Sequence, residues 1–196
     1  MIQNLGHFEL LDLEVWTQYL SKRFPNLSLQ MYTIQRYDIC PQYISPMKLH
    51  IPEPLQKHQL VHDRLFRLLD CDQRVQGVVM SGSMISGTPD EYSDLDYNLL
   101  TTEQYFNTFY TQRFDLIRSV GKAVTCFDAN HLPFPNHIFV SFLEVEGAIV
   151  KVDLDFATTD DFLSYVRKDS RPRLVVLDRT NQVFPVVEAH HVCFIP

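Results

Sequence analysis

The chain has 196 residues, of which 45% are hydrophobic, a share that is typical of a domain with a packed core. Its formal net charge of −7 argues against broad binding to nucleic-acid backbones, although a nucleotide whose phosphates a metal neutralises stays possible. The four cysteines lie far apart, which favours free thiols over a zinc site or a disulfide framework. No apolar run is long enough for a membrane span and no signal-peptide pattern opens the chain, so we expect a cytoplasmic protein.

Residues 1–53 are predicted to form an extension that precedes the main domain. Residues 8–24 place apolar side chains on one helical stripe, Pro25 ends this helix, and residues 27–34 alternate like a strand. We interpret the extension as a cover for one side of the core. A surface for a substrate or for a protein partner is the alternative.

Residues 54–196 are predicted to form the main domain. The apolar patterns predict an α/β (α+β) fold, with a mixed twisted sheet and helices on one side. Residues 182–187 carry no clear pattern and are expected to pair with the sheet or to trail off. The other predicted elements are helices at 54–70, 102–119 and from Thr158 or Thr159 to about Val166, and strands at 75–80, 94–101, 120–127, 138–145, 148–156 and 173–177.

Polar residues follow the first predicted strand and open the second. Gly82 and Ser83 form a turn that would expose backbone N–H groups and a hydroxyl, which suits an anionic oxygen. Asp94 and Asp96 are two residues apart on a strand, so both carboxylates leave the same face. Since neighbouring carboxylates repel each other, a bound divalent cation would keep both ionised, and Mg²⁺ is the usual choice beside phosphates.

This ordered set of a Gly-Ser turn, an Asp-x-Asp strand and a later strand acid resembles the nucleotidyltransferase superfamily that includes DNA polymerase beta. Residues 77–100 are most similar to the bacterial small-molecule nucleotidyltransferases, such as the aminoglycoside and lincosamide adenylyltransferases. The family carries a third Asp on a later strand. Asp153 and Asp155 both satisfy that setting, and Asp153 ranks first because of its place after Val150-Lys151-Val152.

The resemblance implies transfer of a nucleoside monophosphate, in the first place AMP from ATP, to a hydroxyl of a small acceptor, with release of pyrophosphate. Asp94, Asp96 and Asp153 would hold two Mg²⁺ ions, and the third carboxylate would also accept the proton of the acceptor hydroxyl. Gly82 and Ser83 would hold the triphosphate of ATP or of another nucleoside triphosphate. Asp155 is retained as a further metal-ligand candidate.

The acceptor is open, and two other functions remain as alternatives. Drug-modifying relatives add a helical domain after the catalytic one, so the acceptor site here is expected to come from residues 1–50 or from a second chain, as in a homodimer. One alternative is an antitoxin-type nucleotidyltransferase that binds or adenylylates a helical protein partner. The other is a pseudoenzyme that only binds a nucleotide.

Five further residues receive supporting roles. Ser93 and Asn98 are predicted to support the acids, and Gly87 to let the loop turn back. Lys151 and Arg173 are candidates to steady a triphosphate, with simple surface exposure as the alternative. A lysine or arginine that fills the space between the acids would overturn the proposed metal chemistry.

Overall fold

The computed structural model describes residues 55–86, 89–129 and 137–190. The predicted extension at 1–53 and the predicted role of Gly87 lie outside the described residues. Within the described parts of the chain, no helix is long and apolar enough to cross a membrane.

Six strands form one mixed sheet in the order β3-β4-β5-β2-β1-β6. The central strands β2 and β5 are parallel to each other, and every other neighbouring pair is antiparallel. The elements are α1 (Gln56–Cys71), β1 (Val75–Ser81), α2 (Ser83–Ser86), β2 (Leu95–Thr101), α3 (Glu103–Thr111), α4 (Arg113–Val120), β3 (Lys122–Asp128), β4 (His137–Val145), β5 (Ala148–Thr158), α5 (Thr159–Val166), β6 (Leu174–Asp178) and α6 (Val183–His190).

The main hydrophobic core lies between one face of the sheet and helices α1, α3 and α4. The helices contribute Val61, Leu65, Phe109 and Ile117, which pack with apolar residues from alternate positions of the strands. The two central strands β2 and β5 contribute every second residue to this core, which is what the apolar patterns of the sequence predicted for them. The predicted class, a mixed sheet with helices, is confirmed.

A second, smaller cluster lies on the opposite face of the sheet. Val79 of β1 and Leu100 of β2 pack there against Phe162 of α5 and Val183 of α6. The predicted helix α5 and the unpredicted helix α6 therefore both lie on the face that the predicted arrangement, with helices on one side, left uncovered. These helices occupy part of that face, and the candidate acids lie on the same face.

Two segments differ from the predicted elements. The predicted helix at 102–119 is two helices, because the chain turns at Gln112, whose N–H bonds back to the carbonyl of Phe109 in a tight i−3 turn at 3.1 Å. The segment expected to pair or trail off is helix α6. Its first N–H groups, those of Val183 and Phe184, donate to the Asp178 carboxylate at 2.9 Å each, which caps the helix from outside it.

Candidate metal centre

Three carboxylates lie together at the start of β2 and on the neighbouring part of the parallel strand β5. Asp94 immediately precedes β2, Asp96 is the second residue of that strand, and Asp153 lies in β5. The parallel register pairs Asp96 directly with Asp153. One carboxylate oxygen from each acid lies within 4.8 Å of the others, so this group could hold a metal ion.

The opposite face of β2 anchors the strand through buried polar contacts. Tyr97 is buried with its hydroxyl 2.7 Å from Nδ1 of His62 on α1. One turn earlier on α1, Nε2 of His58 lies 2.8 Å from the carbonyl oxygen of Ser93, just before Asp94. Burial lowers the pKa of both imidazoles, that of His62 to about 4, so both are neutral near pH 7.

No role was predicted for His58 and His62 from the sequence. Their spacing of four residues places His58 and His62 on the buried stripe of α1, together with Val61 and Leu65. A polar residue on an apolar helical stripe needs a partner in the core, and that pattern was the available signal. Both side chains help to fix where β2 begins and therefore where Asp94 lies.

Ser93, for which a role in supporting the acids was predicted, bonds through its hydroxyl to Asp90. Its hydroxyl accepts a hydrogen bond from the N–H of Asp90 at 2.9 Å and donates to the carboxylate of Asp90 at 3.0 Å. The turn over Asp90–Ser93 is thereby closed one residue before the first acid. Asn98 makes only a long contact of 3.5 Å from its amide to the carbonyl oxygen of Val79.

In the turn after β1, the backbone of Gly82 lies close to the Asp96 carboxylate. Gly82 has φ of 77°, and a Cβ atom built there would lie 1.9 Å from Oδ2 of Asp96. No side chain fits that gap, and L-residues avoid that backbone conformation. Glycine is therefore required at this position if Asp96 is to keep its orientation.

Two buried polar atoms beside this turn lack a partner within the described part of the chain. Among residues 55–86, 89–129 and 137–190, nothing hydrogen-bonds the Ser83 hydroxyl or Oδ1 of Asp153, although buried polar groups are normally satisfied. A hydroxyl can donate to an anionic oxygen, and a carboxylate oxygen can bind a cation. The residues present therefore fit a divalent cation together with a phosphate.

Close packing of the acids makes their ionisation costly. The pKa of Asp96 is raised to about 6, chiefly by burial and also by the negative charges of Asp94 and Asp153. The pKa of Asp153 is also raised, chiefly by burial, although Lys151 opposes that change. A bound cation would relieve both effects, because it stabilises the ionised carboxylates.

Lys151 lies against two of the three acids. Its ammonium group donates to Oδ2 of Asp94 at 2.6 Å and to Oδ2 of Asp153 at 2.9 Å. A lysine that fills the space between the acids was expected to overturn the metal chemistry, and Lys151 does fill the part of that space between Asp94 and Asp153. One ammonium against three ionised carboxylates still leaves two negative charges uncompensated, and no ion pair of Asp96 is present among the described residues.

Asp155 lies outside this group of three. It pairs in register with Asn98, two residues and about 7 Å further along β5 than Asp153. Burial raises the pKa of Asp155 to about 6, and the backbone N–H of His137 opposes that change by donating to it. Its predicted role as a metal ligand stays a prediction.

Arg173 is committed to the loop after α5. Its side chain is only 4% exposed and donates to Oδ2 of Asp169 at 2.9 Å and to the carbonyl oxygens of Asp169 and Arg171 at 3.1 Å each. The same guanidinium lies over the ring of Tyr165. These contacts hold the guanidinium nearly buried against the loop, so the more exposed Lys151 is the more accessible basic candidate of the pair.

No model of a protein family matches the sequence, and no curated protein matches it. Three solved structures of Cid1 poly(U) polymerase, bound to MgGTP, to MgATP in a mutant and to Mg 3'-dATP, are similar in part. Their TM-scores are 0.42, 0.42 and 0.40, each at 15% sequence identity over 73% of this chain. The chain covers 38%, 38% and 37% of those chains, and so weak a likeness says nothing about its activity.

Proposed function

We propose that this protein is a Mg²⁺-dependent nucleotidyltransferase that transfers a nucleoside monophosphate to a hydroxyl group and releases pyrophosphate. One observation carries the proposal. Asp94, Asp96 and Asp153 bring carboxylate oxygens within 4.8 Å of one another, next to a glycine turn where the buried Ser83 hydroxyl finds no partner among the residues that the structure describes. The sequence resemblance to nucleotidyltransferases supports the reaction class.

Each residue of the site has a distinct part in this reaction. Asp94, Asp96 and Asp153 would hold two Mg²⁺ ions. When bound, such ions neutralise charge on the α-phosphate and leaving group and favour ionisation of the acceptor hydroxyl. Ser83 would donate to an oxygen of the β- or γ-phosphate, while Gly82 keeps the approach open. Asp153 would also accept the proton that the acceptor hydroxyl loses.

The nucleotide and the acceptor are the finer parts of the proposal. We propose AMP from ATP as the transferred group and a small molecule as the acceptor. Both follow from the similarity of residues 77–100 to small-molecule adenylyltransferases, and the geometry of the site leaves them open. An acceptor hydroxyl would have to approach from the face of the sheet on which the acids lie.

The test is to follow a label from the α-phosphate. The protein and Mg²⁺ are incubated with each α-labelled ribonucleoside triphosphate and with separate panels of aminoglycosides, lincosamides, tRNA and proteins. We expect label from ATP on a small molecule and pyrophosphate in solution. Asp96→Asn should lower the transfer roughly 100-fold or more, because it removes a charged metal ligand.

The matched control is Asp115→Asn, which changes a largely exposed acid on α4 in the same way. It should leave the transfer unchanged. Equal transfer by wild type and Asp96→Asn would reject the proposed site. Label on a protein would move the acceptor class to proteins, and nucleotide binding without transfer to any panel would leave a pseudoenzyme.

A further inference from the structure

We propose that Lys151 is the resident counter-cation of the carboxylate group, and that a divalent cation must displace its ammonium group to bind. This inference rests on the proposed function, because it takes Asp94, Asp96 and Asp153 as the cation site. It adds a competitor that sets the cation concentration at which the site fills. Before a nucleotide binds, the lysine is thus ion-paired with the acids.

The first step is the overlap of the two binding positions. The ammonium of Lys151 lies 2.6 Å from Oδ2 of Asp94 and 2.9 Å from Oδ2 of Asp153. These acids also belong to the group whose oxygens converge within 4.8 Å. Mg²⁺ binds carboxylate oxygens at about 2.1 Å, so an ion on either oxygen would lie close to the ammonium and repel it.

The second step is the incomplete neutralisation of the site. Lys151 contacts two acids, while Oδ1 of Asp153 is buried with no partner in the described segments. The lysine therefore stabilises the group of acids without satisfying it. A divalent ion supplies more charge, and it can bind oxygens that the ammonium does not reach.

The third step is that the Lys151 side chain is free to move away from the acids. The Lys151 side chain is 32% exposed. Its neighbour in register on β4 is Phe142, whose uncharged side chain does not bind an ammonium group as an acid would. A lysine is a point charge on a flexible four-carbon stem, so its head can move while its strand stays in place. The displaced ammonium stays within reach of a phosphate bound at the same site.

The test measures Mn²⁺ binding to the free protein, without nucleotide, by the loss of the electron-spin resonance signal of free Mn²⁺. We expect Lys151→Met to bind Mn²⁺ roughly tenfold more tightly than wild type, because a competing positive charge is gone. Lys151→Arg keeps the charge and should not bind more tightly. The matched control is Lys122→Met, since Lys122 pairs with Glu144 at 2.7 Å on the same sheet and is 75% exposed.

Thermal unfolding provides a readout that does not depend on activity. In EDTA, Lys151→Met should unfold at a lower temperature than wild type, because its acids lack their counter-charge. Addition of Mg²⁺ should raise its unfolding temperature more than that of wild type. Lys151→Gln is the second variant in case the methionine disturbs the strand, and it should behave in the same way.

Two outcomes would overturn the inference. One is that Lys151→Met and Lys151→Gln bind Mn²⁺ no more tightly than wild type; if they also bind nucleotide more weakly, Lys151 is a phosphate ligand only. The other is that wild type binds no Mn²⁺. If wild type binds Mn²⁺, and Asp96→Asn does not, the proposed function survives either result. If wild type binds no Mn²⁺ at all, both proposals fail together.

Discussion

The two faces of β2 and β5 are built from alternating residues of the same strands, and they have opposite physical characters. On one face, Leu95, Tyr97 and Leu154 are at most 2% exposed and pack into the main core. On the other face, burial and, after it, the charge of neighbouring acids raise the pKa values of Asp96 and Asp153. The first face stabilises the fold, whereas the second costs stability when its acids are ionised.

This contrast explains how a small sheet can hold a costly site. Because side chains alternate along a strand, each acid stands between two buried apolar neighbours that hold the backbone in place. The candidate acids therefore occupy strand positions that do not face the core. Acids that are costly and lie together beside unpartnered polar atoms are typical of functional sites.

The largest expected effect comes from the packed face. Leu154→Ala should lower the free energy of unfolding by about 3 kcal/mol, because it leaves a cavity at a fully buried position. Urea denaturation monitored by circular dichroism measures this change. The contrasting variant on the neighbouring position, Asp153→Asn, should lose no stability in EDTA. A similar loss in both variants would remove the distinction between the faces.

The next largest effect is expected at the turn that joins the two faces. Gly82→Ala combines a positive φ with a clash against Asp96 and should cost about 2 to 3 kcal/mol. Gly147→Ala is its matched control, because Gly147 has φ of 79° with nothing within 4 Å of the added Cβ. The control should cost about 1 kcal/mol by backbone strain alone.

Chemical denaturation of both glycine variants, with and without Mg²⁺, separates strain from clash. Only Gly82→Ala should lose the stabilisation by Mg²⁺, since only there does the added carbon displace a carboxylate of the site. Equal losses of stability in the two variants would show that the contact between Gly82 and Asp96 has no energetic weight.

A smaller effect of opposite sign is expected on the acidic face. Asp96 has a folded-state pKa of about 6 against an ordinary value of 3.8, so the folded state holds its proton more strongly than the unfolded state. The stability contributed by this group is present below pH 3.8 and is lost as the pH rises through 6. Allowing for screening by solvent, Asp96→Asn should be about 1 to 2 kcal/mol more stable than wild type at pH 8 in EDTA.

Urea denaturation of wild type and Asp96→Asn between pH 4 and pH 8 follows this gap. It should widen with rising pH and narrow again when Mg²⁺ is added to wild type. Asp115→Asn, on the exposed surface of α4, should show no such dependence. A pH-independent difference would mean that the charge of Asp96 is not what destabilises the face.

The smallest effect concerns the anchor behind β2. Tyr97→Phe removes the hydroxyl that lies 2.7 Å from Nδ1 of the buried His62, and it should cost about 1 kcal/mol. Tyr105→Phe, which changes an exposed ring, should be neutral. Thermal denaturation measures both. Equal stability of Tyr97→Phe and wild type would show that packing alone orients the strand.

Local pattern was sufficient for most elements and failed where a distant partner decides. The strands on either side of Glu146-Gly147 and the start of α5 after Thr158 appear as predicted, because each depends on residues within a few positions. Helix α6 was missed since its cap, Asp178, lies five residues before it. The buried histidines of α1 were missed because their partners are on another element.

The amino-acid order by itself determined that Asp94 and Asp96 share one face of a strand, and that glycine and serine follow the strand before them. The period of a β-strand and the conformational freedom of glycine are local properties. Only the tertiary structure decided that Asp153 meets this pair and that Lys151, 57 residues after Asp94, lies between them. Those contacts depend on the parallel register of β2 and β5, which long-range packing selects and no short stretch of sequence contains.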